Sequence, residues 1–207
     1  MKANVYIDGF NLYYGALQGR TGTRWLDLEK LCALMLPHEE IGRIRYFTAK
    51  ISNRRPDDRS QQHQQVYLRA LGALPTVSVH YGQFQNTVTR MKTVQPPPSF
   101  VDVHKTEEKG SDVNLASHLL MDAFKKDAER FIVLSNDSDL VEPLRMVKHE
   151  LGKSIGLLNP HKTASRRLGQ CRPDFTRNIR PSHARQCQFD ERVDLPDGGH
   201  VYKPNNW

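Results

Sequence analysis

Four aspartates and one asparagine in this 207-residue chain follow apolar segments in a way that could bring oxygen ligands together. Asp8 follows a short apolar run near the N-terminus, and Asn11 comes one helical turn later. Asp137 and Asp139 follow a second apolar run, while Asp112 opens an amphipathic segment directly after a glycine and a serine. Each acid alone also suits a turn or the first turn of a helix, so only their joint placement indicates chemistry.

Carboxylates that lie close together repel one another and raise one another's pKa values, and a bound divalent cation offsets that repulsion. We therefore predict that Asp8, Asp112, Asp137 and Asp139 bind Mg²⁺ or Mn²⁺, because their ligand atoms are hard oxygens. Asp139 either coordinates the ion directly, acts through water or only caps the following helix. The amide of Asn11 either orients a water molecule or a scissile phosphate, or is an ordinary polar helix residue.

The predicted strands explain why these residues would share one place. Five apolar segments predict strands, at residues 4–7, 43–51, 76–84, 131–134 and 154–160. Most of them are unbroken apolar runs, which are typical of a parallel sheet with helices on both faces. The carboxyl ends of parallel strands share one edge, and open α/β sheets bind ligands there. Asp8 and Asp137 stand at such ends, and the helix that Asp112 opens begins at the same edge.

Amphipathic segments between the strands predict helices, at residues 8–17, 25–37, 111–127 and 140–152 and from about residue 60 onward. The spacing of apolar residues places Leu34 and Val113 on the buried faces of their helices. Residues 85–108 include three consecutive prolines, which break regular elements, so this segment is predicted to be a loop or a β-excursion.

The chain is basic, with 30 Lys and Arg against 23 Asp and Glu and a formal net charge of +7. Such a balance favours polyanionic partners, among them nucleic acids, whether RNA or DNA. Six bases face one acid between residues 161 and 180, at Lys162, Arg166, Arg167, Arg172, Arg177 and Arg180. This stretch either follows a phosphate backbone or forms a solvated tail. We predict a catalytic domain at residues 1–160 and a basic, partly irregular C-terminal extension at 161–207.

The sequence also bears on location. No apolar run approaches the roughly 20 residues that cross a bilayer, and the N-terminal segment does not resemble a signal peptide. Three cysteines stand far apart without a CxxC pair, which favours a reduced setting over a disulfide or zinc framework. We therefore expect a cytoplasmic protein without membrane contacts, and the sequence leaves a homodimer open.

Three segments together resemble the signature blocks of the NYN domain family, a group of PIN-like nucleases that includes LabA-like bacterial proteins. They are YIDGFNLYYG at 6–15, EEKGSDVNLASHLLMDA at 107–123 and FIVLSNDSDLVEPLRMVKHELGKSIGLL at 131–158. The resemblance covers about residues 1–160, and Asn136 stands where many relatives have glycine. It implies an α/β, Rossmann-like PIN fold, in which a mostly parallel central sheet is flanked by helices on both faces. The activity it implies is that of a metal-dependent ribonuclease.

The resemblance also assigns residues to the reaction. Asp8 and Asn11 match the first block, Asp112 the second, and Asp137 and Asp139 the third. The residues that would contact nucleic acid, or in part support the carboxylates, are Lys109, Ser135, Ser138, Arg166 and Arg167. Two other functions stay open: a catalytically silent RNA-binding or regulatory module, and another metal-dependent hydrolase or small-molecule enzyme on the same fold.

Overall fold

The chain forms a seven-stranded sheet, seen in a computed structural model that describes residues 1–51, 58–205 and 207. Its strands are β1 Lys2–Asp8, β2 Glu40–Ala49, β3 Val77–Lys92, β4 Phe100–Lys109, β5 Arg130–Leu134, β6 Ser154–Asn159 and β7 Phe175–Asn178. They lie in the order β4-β3-β2-β1-β5-β6-β7, and all neighbours are parallel except β3 and β4. The strand order reverses between β1 and β5, which is the place where such sheets bind ligands.

Helices cover both faces of this sheet. They are α1 Gly9–Leu12, α2 Leu28–Met35, α3 Ser60–Leu71, α4 Ser111–Phe124, α5 Val141–Arg145, α6 Arg166–Gly169 and α7 Pro181–Gln186. A π-helical turn, Tyr13–Leu17, extends α1, and another, Met146–Glu150, extends α5. A 3₁₀ turn, Ser138–Leu140, precedes α5. The predicted α/β fold with a mostly parallel sheet is confirmed.

Each central strand supplies side chains to two apolar clusters, because successive residues of a strand point to opposite faces. In β1, Val5 and Ile7 join the cluster under α2 and α3, while Tyr6 joins the cluster under α4 and α5. All three side chains are fully buried. This double burial explains why β1 is an unbroken apolar run, and it fixes the position of Asp8 at its end.

Residues 85–108 are mostly strand, which decides between the two structures predicted for them. Together β3 and β4 form a long antiparallel hairpin, paired from Gln83 and Lys109 to Lys92 and Phe100. The three prolines lie in the connection between the strands, where they interrupt no ladder. Most side chains of this hairpin beyond residue 84 are exposed, so it projects from the sheet as an arm.

Two predicted buried positions are wrong. Val113 is 68% exposed, and Leu34 is exposed as well. In α4 the buried stripe runs through Leu115 and Leu119, and a residue two positions from Leu115 lies on the opposite side of a helix. The spacing of apolar residues alone did not show which of these two faces of the helix is buried.

Residues 161–207 were predicted to be a basic extension, and their described part, 161–205 and 207, packs onto the same domain. They supply β7 to the sheet, the helix α7, and a two-stranded sheet of β8 Arg192–Asp194 and β9 His200–Tyr202. Phe189 and Val201 are buried in the core, and the Trp25 indole donates a 2.8 Å hydrogen bond to the Asp190 carbonyl. Among the described residues, no helix is long and apolar enough to cross a membrane.

Candidate catalytic site

Asp8 ends β1 and caps the first turn of α1. Its Oδ1 accepts a 2.9 Å hydrogen bond from the Asn11 backbone, and its Oδ2 accepts one of 2.6 Å from Asn11 Nδ2. Ser135 Oγ donates to the same Oδ2 at 2.9 Å. The turn needs Gly9, because a Cβ there would lie 2.7 Å from the Tyr46 ring. The sequence Asp-Gly-x-Asn thus fixes the carboxylate at the edge of the sheet.

The Asp8 carboxyl is only 4% exposed, and its pKa is raised. Burial is the largest cause, because it disfavours the charged form, and the negative charge of Asp137 adds to it. Hydrogen bonds from Asn11 and Ser135 act in the opposite direction and lower the pKa in part. A cation at this place would favour the ionised form further.

Residues 135–139 form the turn that follows β5. Ser135 Oγ accepts a 3.1 Å hydrogen bond from the Asp137 backbone, and Asp137 Oδ1 accepts one of 2.9 Å from the Asp139 backbone. Asp137 therefore caps the 3₁₀ turn while its side chain stays half-buried at the edge. Asp139 is exposed. This segment therefore forms a turn and also places two carboxylates at the edge of the sheet.

Asp112 lies in the first turn of α4, after Gly110 at a φ of 96° that a residue with a side chain rarely adopts. Its pKa is raised to about 6, first by burial and then by the charges of other acids. In decreasing order these acids are Asp8, Asp137, Glu108 and Asp139. The structure therefore brings the four predicted aspartates within electrostatic range of one another.

Glu108 is a fifth carboxylate at this edge, and sequence reasoning missed it. It lies at the end of β4, and its Oε1 accepts a 3.1 Å hydrogen bond from the backbone of Ser111, the first residue of α4. An acid three residues before a helix start was the available signal. Glu108 lies in the arm, where the apolar residues show no clear periodicity in the sequence.

Oxygen donors of this kind suit Mg²⁺ or Mn²⁺ in chemical type. In the described part of the chain, however, no three acidic, histidine or cysteine side chains are arranged so that they could hold one ion. Electrostatic coupling acts over several ångströms, whereas Mg²⁺ lies about 2.0–2.1 Å from its ligands. The carboxylates therefore interact through their charges without forming a coordination shell in the described part of the chain.

His161, which follows β6, joins the site through Asn11. Asn11 Oδ1 accepts a 3.2 Å hydrogen bond from the Asn136 backbone, which fixes the orientation of the amide. His161 Nε2 lies 3.1 Å from the same oxygen. Since an amide oxygen only accepts, Nε2 of His161 carries the proton. Sequence reasoning missed this residue, although a histidine just beyond a strand end was visible.

Asn136 ties the loop after β6 to the site. Its Oδ1 accepts a 2.7 Å hydrogen bond from the Ser165 backbone, and its Nδ2 donates one of 3.1 Å to the Thr163 carbonyl. A glycine at this position would make neither bond. The asparagine therefore positions α6, which begins directly after Ser165.

The residues predicted to contact nucleic acid lie in different settings. Ser135 is 1% exposed and hydrogen-bonds Asp8, so it supports a carboxylate and does not reach a ligand. Ser138 is half-buried and accepts a 3.4 Å hydrogen bond from Arg167. Arg166 is exposed beside Arg167 on α6. Lys109 is exposed, with its Nζ 3.3 Å from Glu107 Oε2 on the arm.

Together, the sheet and its acidic carboxyl edge define a PIN-like α/β protein. The chain belongs to the NYN domain family, whose model matches residues 2–177, and so to the PIN-like nuclease superfamily. The predicted resemblance to this family is confirmed.

Two individual proteins are similar to the chain. A curated relative is the 6-hydroxy-3-succinoylpyridine 3-monooxygenase HspA of Pseudomonas putida, with 29% identity over 239 residues that cover 100% of this chain and 75% of that protein. A crystal structure of a protein of unknown function from Vibrio parahaemolyticus superposes with a TM-score of 0.54 and 18% identity, covering 86% of this chain and 92% of that one. The second likeness shows the fold alone.

Proposed function

We propose that this protein is a metal-dependent endoribonuclease that hydrolyses phosphodiester bonds in RNA. The observation that supports this most is the meeting of four aspartates, Asp8, Asp112, Asp137 and Asp139, at the carboxyl edge of an NYN-family sheet. The raised pKa values of Asp8 and Asp112 follow from burial and mutual repulsion, which is the electrostatic setting that a divalent cation relieves.

The four aspartates would hold Mg²⁺ or Mn²⁺. When bound, such an ion lowers the pKa of a water molecule and polarises a phosphate oxygen. The chain's own contribution is orientation: Asn11 and Ser135 fix both oxygens of Asp8, and His161 fixes the amide of Asn11. These supporting bonds limit the freedom of the carboxylates before any substrate arrives.

Basic side chains beside the acids would bind the RNA backbone. Arg167 reaches Ser138, the neighbour of Asp137, and Arg166 is exposed on the same short helix. Guanidinium groups bind phosphate oxygens through two parallel hydrogen bonds. Contacts of this kind position a nucleic acid without reading its sequence.

The test is cleavage of end-labelled single- and double-stranded RNA and DNA, with Mg²⁺, Mn²⁺ or EDTA. We expect cleavage of RNA that EDTA abolishes. Asp8→Asn should remove cleavage and keep RNA binding, whereas the control Asp194→Asn changes an exposed acid paired with Arg192 and should keep full activity. RNA cleavage by Asp8→Asn at the wild-type rate would contradict the assignment of this site. RNA binding with no cleavage under any metal would instead favour a catalytically silent binding module.

The similarity to HspA, which covers this whole sequence and 75% of that protein, supports a second candidate, a small-molecule enzyme. That relative is, by its name, a monooxygenase acting on a substituted pyridine. A monooxygenase reduces the second oxygen atom of O₂ to water, so it also needs a two-electron reductant. Uptake of dioxygen by the purified protein with 6-hydroxy-3-succinoylpyridine and a reduced nicotinamide or flavin would separate this activity from hydrolysis, which consumes none.

A further inference from the structure

A surface cavity of about 470 Å³ lies where the arm leaves the sheet. The residues lining it are Lys50, Tyr81, Gly82, Gln83, Phe84 and Asn86. Tyr81 is 44% exposed, so a ligand can reach its ring from solvent. The Lys50 ammonium lies 5.0 Å from the centre of that ring.

This cavity is connected to the acidic edge through direct contacts. Phe84 meets Phe10 edge to face, with ring centres 5.9 Å apart, and Phe10 is two residues beyond Asp8. On the other side, Asn114 Nδ2 donates a 3.2 Å hydrogen bond to the Tyr81 carbonyl, and Asn114 is two residues beyond Asp112. Elements that carry two of the predicted metal ligands therefore contact the Phe84 ring and the Tyr81 backbone.

Gly82 keeps the arm close to α4. A Cβ at this position would overlap the Glu108 carboxylate and lie 2.9 Å from the Ser111 backbone nitrogen. Only a glycine permits this approach, so the floor of the cavity lies against the first residue of α4. The cavity and Asp112 consequently belong to one continuous surface.

The lining selects a ligand with an aromatic face and a negative charge. It offers two aromatic rings, one ammonium group and the amides of Gln83 and Asn86, which can both donate and accept hydrogen bonds. None of the six lining residues carries a carboxylate. An unpaired nucleobase with its adjoining phosphate has this chemistry, since bases stack on aromatic side chains and phosphates attract lysine.

We propose that this cavity binds one unstacked nucleobase of the RNA strand, with Tyr81 as its stacking platform and Lys50 beside the adjoining phosphate. This inference rests on the proposed function and adds a subsite to it. Because a base inside a duplex does not expose its face, the subsite selects single strands, bulges or loops. It also sets which phosphate reaches the acidic edge.

The test measures binding of a fluorescent single-stranded RNA to the full chain carrying Asp8→Asn, so that turnover does not interfere. Tyr81→Leu should weaken binding about ten-fold or more, and Tyr81→Phe, which keeps a ring, should bind as the parent does. The matched control is Tyr202→Leu, an exposed tyrosine on the separate two-stranded sheet, which should change nothing. Equal folding of all variants is checked by circular dichroism.

A second set of RNAs carries one abasic position moved along the strand. At one position the abasic RNA should bind the parent more weakly, and this loss should disappear in Tyr81→Leu, because both changes remove the same contact. The subsite would be refuted if Tyr81→Leu bound RNA with unchanged affinity. It would also be refuted if the losses of affinity from Tyr81→Leu and from the abasic position were additive. The subsite would also be refuted if the protein bound no RNA and instead bound free 6-hydroxy-3-succinoylpyridine in a way that depends on Tyr81. Tyr81-dependent RNA binding without cleavage by the wild type would support the subsite while refuting the nuclease.

Discussion

Ser135 Oγ donates a 2.9 Å hydrogen bond to Oδ2 of Asp8, and this bond joins the ends of two neighbouring parallel strands that are 127 residues apart in the chain. The same hydroxyl accepts from the Asp137 backbone, so one buried side chain aligns two of the predicted metal ligands.

Ser135→Ala should therefore raise the metal concentration that the site needs for activity. Without this donor the pKa of Asp8 rises further, since the bond from Ser135 lowers it. Loss of a supporting group of this kind costs about 10–100-fold in metal affinity or activity. The measurement is the cleavage rate against Mn²⁺ concentration. Ser138→Ala is the control, because Ser138 Oγ accepts a 3.4 Å hydrogen bond from Arg167 and not from a group that supports an aspartate. Equal metal requirements in the two variants would contradict this role.

His161→Ala should lower kcat about ten-fold with little change in KM for RNA, because Asn11 loses one of the two donors that hold its amide toward Asp8. His161→Gln should restore most of the rate, since a glutamine amide can donate to the same oxygen. His149→Ala, at an exposed position, serves as the control. A glutamine variant as slow as the alanine variant would argue that the imidazole acts in another way.

Asp122→Asn should destabilise the fold by about 2–4 kcal/mol, because it leaves Arg45 buried without its carboxylate. Arg45 Nε lies 2.8 Å from Asp122 Oδ2, and Tyr6 donates to the same oxygen at 2.8 Å. Burial raises the pKa of Asp122, but the bonds from Arg45 and Tyr6 outweigh it and the net pKa is lowered. Its stabilising contribution is thus present above its unfolded pKa of about 4 and is lost as the pH falls further.

Urea unfolding at pH 7 measures this effect. Asp194→Asn is the matched control, because its side chain is largely exposed and should cost less than about 0.5 kcal/mol. A similar midpoint for both variants would show that the Arg45 pair adds little.

Stability should also fall as the pH drops from about 6.5 to 4, because of His80. Its pKa is lowered to about 4, first by burial and then by the charges of His118 and Arg45, with Asp122 opposing them. Between these two pH values the unfolded chain binds a proton that the folded chain does not. The free energy of unfolding therefore falls by about 1–2 kcal/mol, after allowance for the partial exposure of His80. The free energy of unfolding at pH 7 and pH 5 should therefore differ less in His80→Asn than in wild type.

His104→Asn, on the exposed side of the arm, should leave that pH dependence unchanged. A wild-type difference between pH 7 and pH 5 that survives in His80→Asn would assign it to other groups.

Arg167→Gln should reduce the salt dependence of RNA binding. For single strands, each phosphate contact contributes about 0.7 to the slope of log affinity against log salt, so the slope should fall by about that amount. Arg166→Gln tests the neighbouring guanidinium in the same way, and Arg185→Gln on α7 is the control at another exposed position. An unchanged slope in both α6 variants would remove α6 from the RNA interface.

Local chemistry in the sequence was enough to predict the central sheet and its acidic edge. An apolar run such as 131–134 must be buried, and the carboxyl ends of parallel strands meet, so Asp8 and Asp137 were expected together before any contact was known. The start of α4 at Gly110 was equally readable, because glycine and the acid that follows suit a helix N-terminus.

Contacts between segments that are distant in the chain could not be predicted from the sequence. Glu108 joined the acids because the arm folds back antiparallel. His161 reached Asn11 across the end of β5, which lies between β1 and β6 in the sheet. The apolar side of α4 was misjudged at Val113 for the same reason, since the helix packs by the face that its neighbours leave available.

The sequence by itself determined which residue types stand at the ends of the strands, because hydrophobic burial and turn chemistry act over a few neighbouring residues. Tertiary structure decided which of these side chains share hydrogen bonds and charge, and it formed the cavity at Tyr81 from segments that carry no common pattern. Hydrogen bonds and pKa shifts depend on distances of a few ångströms between remote residues, and only the packed chain sets those distances.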